Sequence, residues 1–199
     1  MIQTSTNPTK HRSLETAITL FSKHGYNGVS MRDIANAVGI SPPALYNHFA
    51  NKDALYREAV SATFESKSRP LLDAMSFSED PLACLEHFIT IMVTEMQRDR
   101  RFHKLMQWEM LDADETRLAF LGSFICSRVQ QPFMQLLEML KPDCDTFLLS
   151  EMIFGMAKQH YDSSSLHPFV CDGQEAERSA EQLARLMMDV LTPFFNEPA

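Results

Sequence analysis

The chain has 199 residues and is short of most of what membrane insertion, secretion or catalysis requires. No apolar run approaches the ~20 residues that span a bilayer. The opening MIQTSTNPTK has no hydrophobic signal core, so secretion is not expected and the cytoplasm is the expected compartment. Walker loop, dinucleotide fingerprint and nucleophile elbow are all missing, and no catalytic residue or cofactor is expected. The acidic pair Asp112 and Asp114 lies in a polar stretch and reads as solvated. The four cysteines, Cys84, Cys126, Cys144 and Cys171, are scattered, with no CxxC and no zinc-finger spacing. In a cytosolic protein such thiols read first as inert, with redox sensing as the alternative. His87 with His103, or His160 with His167, also lack tight ligand spacing, so no metal is expected. Alternating strand patterns and internal repeats are absent too, which leaves an all-α chain.

Positive charge is also scarce: the net charge is −8. Its distribution is uneven. Residues 1–56 carry Lys10, Arg12, Lys23, Arg32 and Lys52 against Glu15, Asp33 and Asp53, a local +2 that leaves −10 for residues 57–199. The slightly basic end is the one that can approach a polyanion, with Lys10 and Arg12 near its start.

That end holds the densest local signals, in SMRDIANAVGISPPALYNHFANKDALY, residues 30–56. Ser30 and Asp33 have the spacing of a capping box. Ile34, Ala35 and Val38 form the inward stripe of the helix it opens, and Gly39 stops it in a left-handed turn. Ile40 is placed in the bend. Ser41-Pro42-Pro43 starts a second short helix, expected to end near His48-Phe49, with Leu45 and Phe49 turned inward. If Ser41 is the cap, its hydroxyl must take the Ala44 amide, because Pro43 has none; Pro42 is the alternative boundary. Two short helices around a glycine turn make a major-groove reader. The prolines delete two amides that could hold phosphate, so Tyr46, His48 and Lys52, behind the cap Asn51, are the expected backbone grips. Base reading falls to Pro43 and Ala44 on thymine methyls, Asn47 on adenine and Arg32 on guanine. A preceding helix presents Leu14, Ala17, Ile18 and Phe21 to the same core and ends at His24-Gly25, with Tyr26 and Val29 filling the gap beneath it.

The run FSKHGYNGVSMRDIANAVGIS followed by ALYNHFANKDAL resembles the DNA-binding domain of the tetracycline-repressor (TetR) family of bacterial transcription regulators. The resemblance covers about Thr9 to Tyr56, with Leu45-Tyr46-x-x-Phe49-x-x-Lys52 after a Gly-x-Ser turn as its most specific part. It implies DNA contacts at Ser30, Met31, Arg32, Pro42, Pro43, Ala44, Tyr46, Asn47, His48 and Lys52. Pro42-Pro43 departs from the Gly, Ser, Thr or Gln common there, so operator preference does not carry over. The implied domains are a helix-turn-helix head with a short arm at 1–56 and a helical ligand-binding and dimerisation domain at 57–199.

Beyond the head, helices are expected from Lys52 through Phe64, from Ser78-Glu79-Asp80-Pro81 to Arg98, and over Phe102–Met110. A long helix follows from Glu115 to Leu140, kinked at Pro132. Further helices run from Asp145 to Tyr161 and from Gln174 to Leu191, with 162–173 a loop. Leu148 and Met152, with Leu183, Leu186, Met187 and Val190, form stripes suited to a two-fold homodimer interface; packing within one chain is the alternative. Phe88, Phe102, Met106, Met110, Phe124 and Met156 are candidates for an apolar effector cavity, with Trp108, His87, His160 and Tyr161 as polar contributors, although ordinary core packing accounts for any single methionine. The expectation is a homodimeric repressor of a palindromic operator, released by a small apolar inducer. Alternatives are a protein that holds a protein partner with DNA as scaffold, and a thiol-based sensor.

Overall fold

The computed structural model describes residues 7–170 and 179–197, with the side chains of 125–127 and Val170 not described. Cys171, the side chain of Cys126, the first residues of the arm and the expected helix start at Gln174 therefore lie outside the described residues. Within them the chain is helical, without a strand.

The elements are α1 (Pro8–His24), α2 (Met31–Val38), α3 (Pro42–Tyr46), α4 (Lys52–Met75), α5 (Pro81–Arg98), α6 (Arg101–Asp112), α7 (Glu115–Ile125), a π-helical turn (Cys126–Gln130), α8 (Gln131–Leu140), α9 (Thr146–Asp162), a 3-10 turn (Ser163–Ser165), α10 (His167–Val170) and α11 (Ala180–Asn196). The expected single helix from Glu115 to Leu140 is thus two helices and a wide turn. Pro132 explains it: the ring cannot donate to the carbonyl four residues back and presses against it, so the preceding turn opens. The expected loop at 162–173 is also partly helical, as the 3-10 turn and α10. The described part of α11 begins at Ala180, behind a capping box of Ser179 and Gln182.

The chain divides into two compact units, residues 1–66 with 100–124 and residues 67–99 with 125–199. The first division falls inside α4, in the turn whose Ser66-to-residue-70 hydrogen bond Pro70 cannot make.

In the first unit, Leu14, Ala17, Ile18 and Phe21 of α1 bury against Ile34, Ala35 and Val38 of α2, with Leu45, Phe49, Leu55 and Tyr56 completing the core. Phe21, Tyr26 and Tyr56 form a mutual ring cluster with centroids 5.1–5.9 Å apart. α6 packs along α1, and Phe102 and Phe124 meet Phe64 at 5.7 and 5.1 Å.

The second unit is built on α5, which packs against α11 and α8, while α9 lies on α8. Phe88 stacks on Phe133 at 4.2 Å, with Phe154 against both. The Tyr161 hydroxyl donates to the Val93 carbonyl at 3.0 Å, and the Gln97 side chain accepts the Ala180 amide at 3.0 Å.

Candidate nucleic-acid interface

The helix-turn-helix is locked by its own sequence. The Ser30 hydroxyl accepts the Asp33 amide at 3.2 Å while the Asp33 carboxylate accepts the Ser30 amide at 2.9 Å. Those Ser30 bonds hold the Asp33 carboxyl below its ordinary value of 3.8. Gly39 closes α2 at φ 79°, ψ 35°, the left-handed cap that favours glycine. Ser41 is the cap of α3, and its hydroxyl takes the Ala44 amide at 3.4 Å, as the two prolines at the first helical positions demand. α3 stops at Tyr46, earlier than expected, because the Leu45 carbonyl accepts both the His48 and Phe49 amides and tightens the last turn. Asn51 caps α4 through the Ala54 amide at 2.8 Å.

On this frame Ser30, Arg32, Pro43, Tyr46 and Asn47 are exposed, Tyr46 to 52%. Pro42, Ala44 and His48 are half-buried, the His48 ring lying 6.2 Å from that of Phe49. The Met31 side chain is buried in the head core, since the first residue of an amphipathic α2 falls on the same face as Ile34 and Ala35. Lys52 is half-buried and already engaged. Its ammonium donates to the Tyr26 and Val29 carbonyls, both at 2.9 Å, and lies 4.1 Å from the Tyr26 ring centroid. Burial, and then the charge of Arg117, lower its pKa. Lys10 pairs with Glu58 at 2.5 Å.

Sequence reasoning missed a buried ion cluster in the same unit. Arg117 of α7 donates to Glu109 at 2.7 Å and to Asp112 at 3.1 Å, with Asp114 at 3.4 Å. Asp112 and Asp114, read as solvated, are thus partners of a buried guanidinium. Burial opposes the charge on Arg117, but the Glu109 bond and the surrounding carboxylates outweigh it and raise its pKa. Glu109 itself is buried, a lone acid between Trp108 and Met110, and this was the available signal. Tyr56, nearby, is held neutral by burial and by the Glu109 carboxylate.

The sequence profile described as "Bacterial regulatory proteins, tetR family" matches residues 14–59, which span α1 to the start of α4. Over these residues the chain is similar to the DNA-binding head of the TetR family. Among curated relatives, the biofilm operon icaADBC negative transcriptional regulator IcaR of Staphylococcus aureus is 30% identical over 88 residues, 44% of this chain and 47% of that protein. IcaR of Staphylococcus epidermidis is 42% identical over 55 residues, covering 28% and 30%. The match therefore spans about half the length of these relatives or less. Solved structures share the fold over nearly the whole length. The fatty acid degradation regulator FadR of Bacillus halodurans superposes with a TM-score of 0.73 at 17% identity, covering 94% of this chain and 96% of that one. A TetR-family regulator from Bordetella parapertussis gives 0.70 at 20% identity, covering 98% and 100%.

The residues assigned to an effector cavity fall in both units. Phe102, Met106, Trp108, Met110 and Phe124 belong to the first unit; Phe88, Met156 and His160 belong to the second. Trp108 packs on Gly25, Met110 is exposed, and Phe88 is fully buried in its aromatic stack. His160 lies against Tyr161 and His167. The second unit also holds an open groove of about 310 Å³ between α4, α5 and α8, lined by Leu72, Met75, Cys84, Leu136 and Met139 among others, none of them among those eight. The stripes assigned to a dimer are outward: Leu148, Met152, Leu186 and Val190 are exposed and Leu183 is half-buried. Met187 is the exception, 1% exposed and turned into its own unit. Among the described residues no cluster of His, Cys, Asp and Glu suits a metal ion, and no helix is long and apolar enough to cross a membrane.

Proposed function

We propose that this chain is a sequence-specific transcriptional regulator of the TetR family that binds a two-fold operator as a homodimer and is released by a small, mainly apolar effector. One observation carries the DNA reading. The capped α2–turn–α3 unit is rigid from within, yet it leaves Arg32, Pro43, Tyr46 and Asn47 facing solvent beside the half-buried His48. Short reading groups near the helix start, with a phenol and an imidazole at its end, are the division of labour that groove binding needs. The likeness to IcaR, a negative regulator, favours repression. The outward stripes on α9 and α11 support the dimer, and a dimer presents two heads to half-sites one helical turn or a multiple apart. The apolar effector rests on the methionine- and leucine-lined groove of the second unit and on the share of Met and Phe, thirteen and fourteen residues.

The test is binding of the purified protein to the DNA upstream of its own gene, followed by fluorescence anisotropy. Tyr46→Ala weakens binding to every duplex alike. Asn47→Ala loses discrimination of about 1–3 kcal/mol at particular base pairs, while non-specific binding stays nearly intact. Equal affinity of the unaltered protein for this DNA and for an unrelated duplex would remove the sequence-specific reading. Native mass spectrometry of the same preparation seeks the effector directly.

A further inference from the structure

The turn from Gly25 to Val29 joins α1 to the Ser30 cap of α2 and contains no charged residue. It is nevertheless fastened from α6 and α7 at three successive positions. The Trp108 ring lies so close to Gly25 that a Cβ there would stand 3.1 Å from it. The Arg117 guanidinium lies over the Tyr26 ring, 4.4 Å from its centroid. Asp112 Oδ2 accepts from the Asn27 side chain at 3.1 Å, and the same oxygen accepts from Arg117 at 3.1 Å. Arg117 therefore touches Tyr26 directly and Asn27 through one shared atom. The turn in turn holds Lys52, whose ammonium gives two of its three N–H groups to the Tyr26 and Val29 carbonyls. The third is taken by neither carbonyl.

We infer that Arg117 is a positioning residue for DNA binding: through Tyr26 and Asp112 it fixes the 25–29 turn, and the carbonyls of that turn fix the Lys52 ammonium where a phosphate meets it. This rests on the reading of Lys52 as a backbone contact. It also needs no contact between Arg117 and DNA, since the guanidinium is buried with Glu109, Asp112 and Asp114. Two cations over one tyrosine ring are tolerable because those carboxylates neutralise Arg117, while Lys52 spends its charge on carbonyl dipoles.

The experiment is a salt titration of binding to a mixed-sequence duplex of about 30 base pairs, which reports phosphate contacts independently of any operator. Arg117→Met alone would strand the buried Glu109 charge, so the informative variant is Arg117→Met with Glu109→Gln, checked for its helical signal and melting temperature. It should reduce the slope of log K against log salt by about one for each head, a loss of about five-fold per head at ~0.15 M salt. Lys52→Met should produce the same loss, and combining the changes should add nothing further. Arg117→Lys should restore part of the affinity, because a cation returns over Tyr26 without the forked contact to the carboxylates. Losses that add, or a folded neutralised variant with an unaltered slope, overturn the inference. If Arg117→Met weakens binding but the neutralised variant recovers it fully, the role is structural and the inference fails. If the unaltered protein shows no salt-dependent DNA binding, the functional reading falls and takes this inference with it.

Discussion

Replacing Leu186 by Glu should convert the proposed dimer to monomer without unfolding the chain, and the size of the effect follows from exposure. Leu148 and Met152 lie one turn apart on α9, and Leu186 and Val190 one turn apart on α11; each is about three-fifths exposed. Burying a whole side chain of this type contributes about 2 kcal/mol, so covering the exposed part gives roughly 1 kcal/mol apiece. Two-fold symmetry doubles the four to roughly 8–10 kcal/mol, which lies inside the ~4–15 kcal/mol that association costs in lost freedom. Such an interface is viable only if nearly all of the stripe engages. Leu186→Glu removes one contact from each protomer and requires two carboxylates to be desolvated, a loss of about 3 kcal/mol or more and a rise in Kd of about a hundred-fold or greater. Sedimentation equilibrium across a range of concentrations reads this directly. Leu111→Glu on α6, an equally apolar and more exposed site that belongs to neither stripe, is the control and should leave the association unchanged. Identical sedimentation of Leu186→Glu and the unaltered chain would refute the reasoning.

Two further outcomes follow from the head. The Ser30 bonds depress the Asp33 pKa below 3.8, so the unfolded chain binds more protons over that window and the capping box contributes stability that is present above it and lost as pH falls through the folded value. NMR titration should find Asp33 below its ordinary value, and Ser30→Ala should return it upwards; an unmoved Asp33 would show that the box is not its cause. Gly25 adopts φ 69°, ψ 172°, a region essentially restricted to glycine, and a Cβ there would also press on Trp108. Gly25→Ala should therefore destabilise the chain by about 1–3 kcal/mol in a urea melt, and a neutral result would contradict the geometry.

The head was legible because its signals are local. A cap, a helix-ending glycine and an i, i+4 apolar pair each constrain the few residues around them, so Ser30, Gly39, Ser41, Asn51 and the Leu45–Phe49 pair are seated as the sequence indicates. Met31, named as a contact through the resemblance, is seated on the inward face of α2, which the resemblance alone does not indicate. The wide turn before Pro132 was expected only as a kink, since proline announces a lost hydrogen bond but not how the preceding turn absorbs it. Arg117 and Glu109 were illegible for another reason. They are eight residues apart on two different helices, and Arg117's partner Tyr26 is about ninety residues away, so no periodicity links them. Met187 shows the limit of stripes: Leu183, Leu186 and Val190 share its spacing, but helical phase alone does not say which edge of an apolar face turns inward.

The first unit is discontinuous in sequence, and this bears on how the protein can be engineered. The family match ends at residue 59, which invites a hybrid regulator made by joining residues up to that point to the body of another protein. Such a graft would carry Tyr26, Asn27 and Gly25 but leave behind Arg117, Asp112 and Trp108. The compact unit is residues 1–66 together with 100–124, and a graft between relatives should preserve both segments or confine itself to the exposed side chains of α2 and α3.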